Sequence, residues 1–182
     1  MHHIPTRRTF GVCLVEENDV ARFTGELRHA QSFGSNPLLF PIVILCMSLT
    51  ALRSIQEETS EECTELEETM GLNDENHEVA FNQMANFTRI PQRLNVLSAQ
   101  LANIQWYCSA YVEALNSLED QLQALPDGYG TSVFTELHEQ MTYSRSCLEH
   151  IGFITKRDNI IVQSMIQTVR ISLATSVENL CL

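Results

Sequence analysis

Ten apolar positions, Leu94, Leu97, Leu101, Ile104, Cys108, Tyr111, Leu115, Leu118, Leu122 and Leu125, follow one another in alternating steps of 3 and 4 without an error. This spacing places all ten on one stripe of an α-helix, whereas a strand would scatter them over both faces. Ile90 and Phe87 carry the same register backwards. A helix of this kind exposes a long apolar seam that other helices must cover. The pattern predicts a helix over 89–125. Thr88 is a suitable N-cap, and Pro91 falls in the first turn, where its missing N–H is tolerated. The run Leu125-Pro126-Asp127-Gly128-Tyr129-Gly130 ends it.

Two further segments carry matching seams. Leu45, Leu49, Leu52, Gln56, Thr59, Cys63, Leu66 and Met70 advance by 4 and 3 in turn, with polar residues at two positions. Asn36 suits the N-cap of this helix and Pro37 its first position. Gly71 suits its stop, so the helix is expected over 37–70. The third seam reads Phe134, Leu137, Met141, Ser144, Leu148, Ile151, Thr155, Asp158, Val162, Met165 and Val169. It then slips to Leu173, Val177 and Leu180, predicting a helix over 131–179 capped by Thr131 or Ser132. Asp158 on a seam, next to Lys156 and Arg157, points to a polar layer or a break in packing. Only six residues join the second and third helices, which forces them antiparallel. The expected fold is all-α: an antiparallel three-long-helix coiled-coil bundle over 36–182, preceded by a short irregular segment over 1–35. Within that segment Thr9–Val15 reads as a short strand and Val20–Phe33 as a short helix. At about 1.5 Å per residue the third helix outruns the other two, so its last turns are expected to project past them.

The stretch Leu38–Leu52 is strongly apolar but only 15 residues long, interrupted by Pro41 and followed by Arg53. A span needs roughly 20 apolar residues, so a buried helix start is expected here and no direct membrane span. The formal net charge is −12, with Lys156 the single lysine. Such a surface repels phosphate backbones, which argues against a nucleic-acid partner. The six cysteines include no CxxC pair, and several occupy seam positions. Reduced structural thiols and a cytoplasmic location follow. The N-terminal MHHIPTRRTF has no apolar stretch of the signal-peptide kind behind it, so the sequon Asn86-Phe87-Thr88 is expected to stay unmodified.

The chain shows no GxSxG, P-loop, GxGxxG or HExxH pattern, and a chain so largely helical has little loop from which to build a pocket. No enzyme is expected. Trp106 and Tyr107 fall beside the seam of the second helix, where packing on the flank of the core is expected. One cluster points to ligand chemistry. Glu57, Glu58, Glu61, Glu62 and Glu65, continued by Glu67 and Glu68, form an acidic ridge on the first long helix. Glu57, Glu61, Glu65 and Glu68 share a face. Hard divalent cations such as Mg2+ prefer clustered carboxylates, so these residues are the candidate metal ligands, with Asp74, Glu75 and Glu78 of the following linker as further donors. A solvated outer face is the plainer reading of the same pattern.

The segment His29-Ala30-Gln31-Ser32-Phe33-Gly34-Ser35-Asn36-Pro37-Leu38-Leu39-Phe40-Pro41 resembles the helix start of fungal CorA-like membrane proteins. Thr155-Lys156-Arg157 followed by Gln163-Ser164-Met165-Ile166-Gln167-Thr168-Val169 is similar to the late stalk helix of that family. The resemblance covers about residues 27–175. It implies a non-enzymatic cytosolic helical domain of a magnesium-transporter-like, oligomeric protein, working with copies of itself or with a membrane-embedded partner. In that family the long helix leads into two transmembrane helices with a Gly-Met-Asn motif between them. This sequence ends at Leu182 with neither, so the resemblance implies a truncated or fragmentary relative, membrane-associated only through a missing part or a partner. The alternative is a coiled-coil scaffold or protein-interaction module unrelated to ion transport, with its partner groove near Leu173–Leu182.

Overall fold

The structure, a computed structural model, describes residues 2–3, 8–9, 20–29, 36–72, 89–124 and 131–180. Four helices account for nearly all of them: α1 (Val20–His29), α2 (Leu39–Thr69), α3 (Arg89–Gln123) and α4 (Thr131–Leu180). The exception is a two-residue antiparallel ladder, β1 (His2–His3) paired with β2 (Arg8–Thr9). The strand expected over Thr9–Val15 therefore begins one residue early, and the rest of that stretch lies outside the described residues. So do Thr88, the linker acids Asp74, Glu75 and Glu78, and the side chains of Leu173, Val177 and Leu180.

The ends of α2 form as the sequence chemistry dictates. The Asn36 side-chain oxygen accepts the Leu38 N–H at 2.9 Å, and the Asn36 carbonyl accepts from Leu39 N–H at 3.3 Å. A buried asparagine thus satisfies a first-turn donor that the helix cannot. At the other end Gly71 adopts φ 66°. Its N–H reaches the Glu68 carbonyl at 2.9 Å, while Leu72 N–H reaches Glu67 at 3.2 Å. These two bonds define a Schellman stop, which requires a left-handed residue that glycine adopts without a Cβ clash. Leu72 then packs against buried apolar side chains of α2, α3 and α4.

The chain divides into two compact units, and α2, α3 and α4 each contribute residues to both. The first unit comprises Met1–Ala51 and Ser109–Glu149. Its buried side chains include Ile42, Leu45 and Leu49 of α2, Leu115, Leu118 and Leu122 of α3, and Leu137, Met141 and Leu148 of α4. The apolar start of α2 is thus used in packing. Among the described residues α2 is the one helix long and apolar enough, by length and composition, to cross a membrane. Phe23 of α1 meets Phe40 edge-on at 5.6 Å, a favoured aromatic geometry. Arg145 of α4 donates to Asn116 Oδ1 at 2.9 Å and Glu119 Oε2 at 2.8 Å on α3.

The second unit comprises Leu52–Cys108 and His150–Leu182. Here the three seams close on one another. Cys63, Leu66 and Met70 pack with Ile90, Leu94, Leu97 and Leu101 and with Val162, Met165 and Val169. Leu66, Leu94, Leu97, Val162 and Met165 are completely buried, each worth roughly 1.5–3 kcal/mol of transfer free energy on area grounds. Arg93 of α3 flanks this core and donates to Glu62 and Glu65 of α2 at 3.4 and 3.2 Å.

Two positions differ from the sequence reading. Phe134, expected on the seam of α4, is 41% exposed. It sits in the first turn of its helix, where fewer neighbours surround a side chain. Trp106 is 65% exposed and stacks edge-on with Tyr107 at 5.0 Å, so it covers its own neighbour and not the flank of the core.

Candidate functional site

The second unit carries a polar layer inside its seam. Gln56 and Thr59 of α2 and Thr155 and Asp158 of α4 are all buried. Burial of such groups is costly unless each finds a hydrogen bond. The two threonines find one on their own helix. Thr59 Oγ1 donates to the Ile55 carbonyl at 2.7 Å, and Thr155 Oγ1 to the Ile151 carbonyl at 2.8 Å. Asp158 is 1% exposed and takes a different solution. Its Oδ1 accepts two hydrogen bonds from Arg157, at 2.9 Å from Nε and 2.7 Å from Nη2, while its Oδ2 is buried without a partner. Arg157 also donates to Ser60 Oγ on α2 at 3.1 Å. One half-exposed guanidinium therefore ties two helices together and compensates a buried carboxylate.

Outside this layer lies an open groove of about 530 Å3. Its α2 wall carries Arg53, Gln56, Glu57, Ser60, Glu61, Thr64, Glu65 and Glu68, and its α4 wall carries His150, Ile154 and Arg157. The acidic ridge read from the sequence is thereby divided. Glu57, Glu61 and Glu65 line the groove together with Glu68. Glu58 is exposed and does not line it, and Glu62 pairs with Arg93 on α3. Helical spacing separates these sets, since residues one apart point about 100° away from each other. Within the groove Glu57 accepts from Arg53 at 2.8 Å, and Glu65 is the second acceptor of Arg93. Among the described residues no three His, Cys, Asp or Glu side chains are placed to hold a metal ion. The groove and its floor of Gln56 escaped sequence reasoning. Their one signal was a polar residue on an apolar seam.

Burial holds the two described thiols of this unit, Cys63 and Cys108, towards their protonated form. Burial first, and then the negative charges of Asp158 and Glu67, push the Cys63 thiol from the ordinary value of 9.0 up to about 11. Burial likewise raises Cys108. A raised thiol pKa lowers the fraction of thiolate, the form that attacks. The shift also has a consequence for stability. Below pH 9 Cys63 is protonated whether the chain is folded or unfolded, so it contributes no pH dependence. Between pH 9 and 11 the unfolded chain ionises first, and stability falls, by roughly 2–3 kcal/mol for a shift of this size. Urea titrations at pH 8 and 10.5 are expected to show a larger loss for the native protein than for Cys63→Ala. Equal losses would mean that the thiol ionises freely in the folded state.

Comparison with protein-family models, with curated proteins and with solved structures finds no match to this chain.

Proposed function

We propose that this chain is a non-enzymatic coiled-coil module that acts in the cytoplasm by helix–helix association. The three seams are taken to pack as an antiparallel bundle, with α3 reversed relative to its neighbours. The observation that carries this reading is the burial of alternating 3-and-4-spaced residues on α2, α3 and α4 together, from Leu45 to Met70, Ile90 to Leu122 and Leu137 to Val169. Only Tyr111 on these runs is not fully buried. A chain whose regular structure is spent on a shared seam presents its function on the outer faces of its helices. Labelled amphipathic helical peptides of basic, neutral and acidic outer charge test this by fluorescence anisotropy. At least one class is expected to bind with Kd in the micromolar range, about −8 kcal/mol. Failure of all three classes at high micromolar protein sinks the proposal.

A second reading is favoured by the line of carboxylates along the groove. On it, the chain is a relative of the cytosolic helical domain of CorA-like transporters and senses a divalent cation through the acidic ridge, with Glu57, Glu61 and Glu65 in the groove and Glu58 and Glu62 beside it. Its support is the short-motif resemblance around Asn36-Pro37 and Thr155-Lys156-Arg157 together with the clustered charge. Magnesium at about 10 mM, well above the range of weak carboxylate sites, is then expected to raise the melting temperature or change the oligomeric state. If it changes neither, cation sensing is excluded.

A further inference from the structure

We infer that the outer face of α3 in the second unit docks against the same face of a second copy of this chain, the two helices running antiparallel. This rests on the reading of the chain as a helix-association module and names its partner. The charge pattern is the first support. The chain has a formal net charge of −12, yet from Leu94 to Cys108 it carries no Asp, Glu, Lys, Arg or His. At about 1.5 Å per residue this uncharged stretch of α3 is roughly 22 Å long. Its side opposite the buried seam presents Val96, Ala99, Asn103 and Trp106, all exposed. Two bodies of like charge repel least where neither presents a charge. A helix with a charged face would find no counter-charge here. Absence of charge together with an exposed Trp-Tyr pair is also the composition of an interface core.

The second support is shape. Val96, Ala99, Asn103 and Trp106 follow one another in steps of 3, 4 and 3, the spacing of a second seam on the opposite side of the helix from the first. The stripe is symmetric about residue 101, large at both ends and small in the middle. An antiparallel copy turned about that point sets Trp106 of each chain against Val96 of the other, and Ala99 against Asn103. The small centre lets the helices approach closely, and the indole and valine close each end. Trp106 is also held in place beforehand. It meets Tyr107 edge-on at 5.0 Å, so docking costs little side-chain freedom. Exposed Asn95, Asn103 and Gln105 interrupt the apolar surface, which disfavours a lipid occupant. A face of about four helical turns is small for a stable interface, so the dimer is expected to dissociate with Kd of about 10–100 μM.

The experiment uses the full chain and its single tryptophan. Sedimentation equilibrium up to about 300 μM protein is expected to show a monomer–dimer equilibrium, with Trp106 emission moving to the blue as the dimer forms. Raising NaCl from about 50 to about 500 mM should tighten it, because salt screens two acidic bodies from each other. Ala99→Glu and Asn103→Lys should each weaken the dimer about tenfold or more, and Ile160→Glu, exposed on α4, should leave it unchanged. Mixing the Ala99→Glu and Asn103→Lys proteins should restore association, since the pairing sets those two positions together. Circular dichroism melts confirm that each variant keeps its fold. A dimer that Ala99→Glu leaves intact, or a mixture that fails to associate, overturns the assignment of this face. Phosphatidylcholine vesicles that shift Trp106 emission of the monomer overturn it as well, by assigning the face to a lipid surface. If the chain stays monomeric throughout while helical peptides bind it, this inference fails and the association module stands. If it stays monomeric and no peptide binds, both fail.

Discussion

Replacing Asp158 by leucine is expected to make the protein more stable, by about 1–3 kcal/mol, whereas replacing its neighbour Arg157 by alanine should destabilise it by about 2–4 kcal/mol. The opposite signs follow from where the two side chains lie. Asp158 occupies a buried seam position of α4 with one oxygen unpartnered, so its carboxylate has lost its hydration for two hydrogen bonds. A leucine there adds apolar burial and removes that desolvation cost. Arg157 is 53% exposed on its side chain and gains little from the pair itself. Removing it leaves a buried carboxylate with no counter-charge, and the Ser60 contact is lost too. The released Arg157 in Asp158→Leu keeps Ser60 and water as partners. Urea unfolding at pH 7 measures both changes. A destabilised Asp158→Leu, or a neutral Arg157→Ala, would show that the carboxylate is better solvated than its burial implies.

Leu97→Ala is expected to cost about 3–5 kcal/mol, and Val96→Ala, one residue earlier, less than about 0.5 kcal/mol. Leu97 is completely buried, among seam residues of α2, α3 and α4, and Val96 is 55% exposed. The first substitution removes three carbons from a site walled by three helices, so collapse around the cavity is limited. The second removes methyl groups that water already touches. Comparable losses at both sites would contradict the placement of the α3 seam.

The helices were legible because their information is local and repeated. Each seam position from Leu45 to Met70 is buried, including Gln56 and Thr59, whose polarity spoke against it. The ends of α2 were legible for the same reason, since Asn36-Pro37 and Gly71 act within one turn. The groove was not legible. It depends on His150, Ile154 and Arg157 facing Gln56 and Ser60 across roughly a hundred residues of chain, and heptad spacing fixes a stripe on each helix without fixing which residues of two stripes meet. The acidic ridge shows the limit most clearly. Spacing correctly put Glu57, Glu61, Glu65 and Glu68 on one face. Only the packed structure shows Glu62 turned towards Arg93 and Glu58 left in solvent.

The buried layer of Gln56, Thr59, Thr155 and Asp158 bears on alignment as much as on stability. Leucine-rich seams repeat every seven residues and are nearly indifferent to sliding by one heptad. An ion-paired aspartate is not. Moving α4 by seven residues against α2 would separate Arg157 from Ser60 and press the carboxylate of Asp158 against apolar rows such as that of Leu66. The layer is therefore expected to act as a key that admits a single pairing. The stabilised Asp158→Leu protein should, on this hypothesis, lose that discrimination, with amide NMR spectra showing more than one set of resonances for residues of α2. A single sharp set would mean that the apolar side chains alone are enough to hold the helices in step.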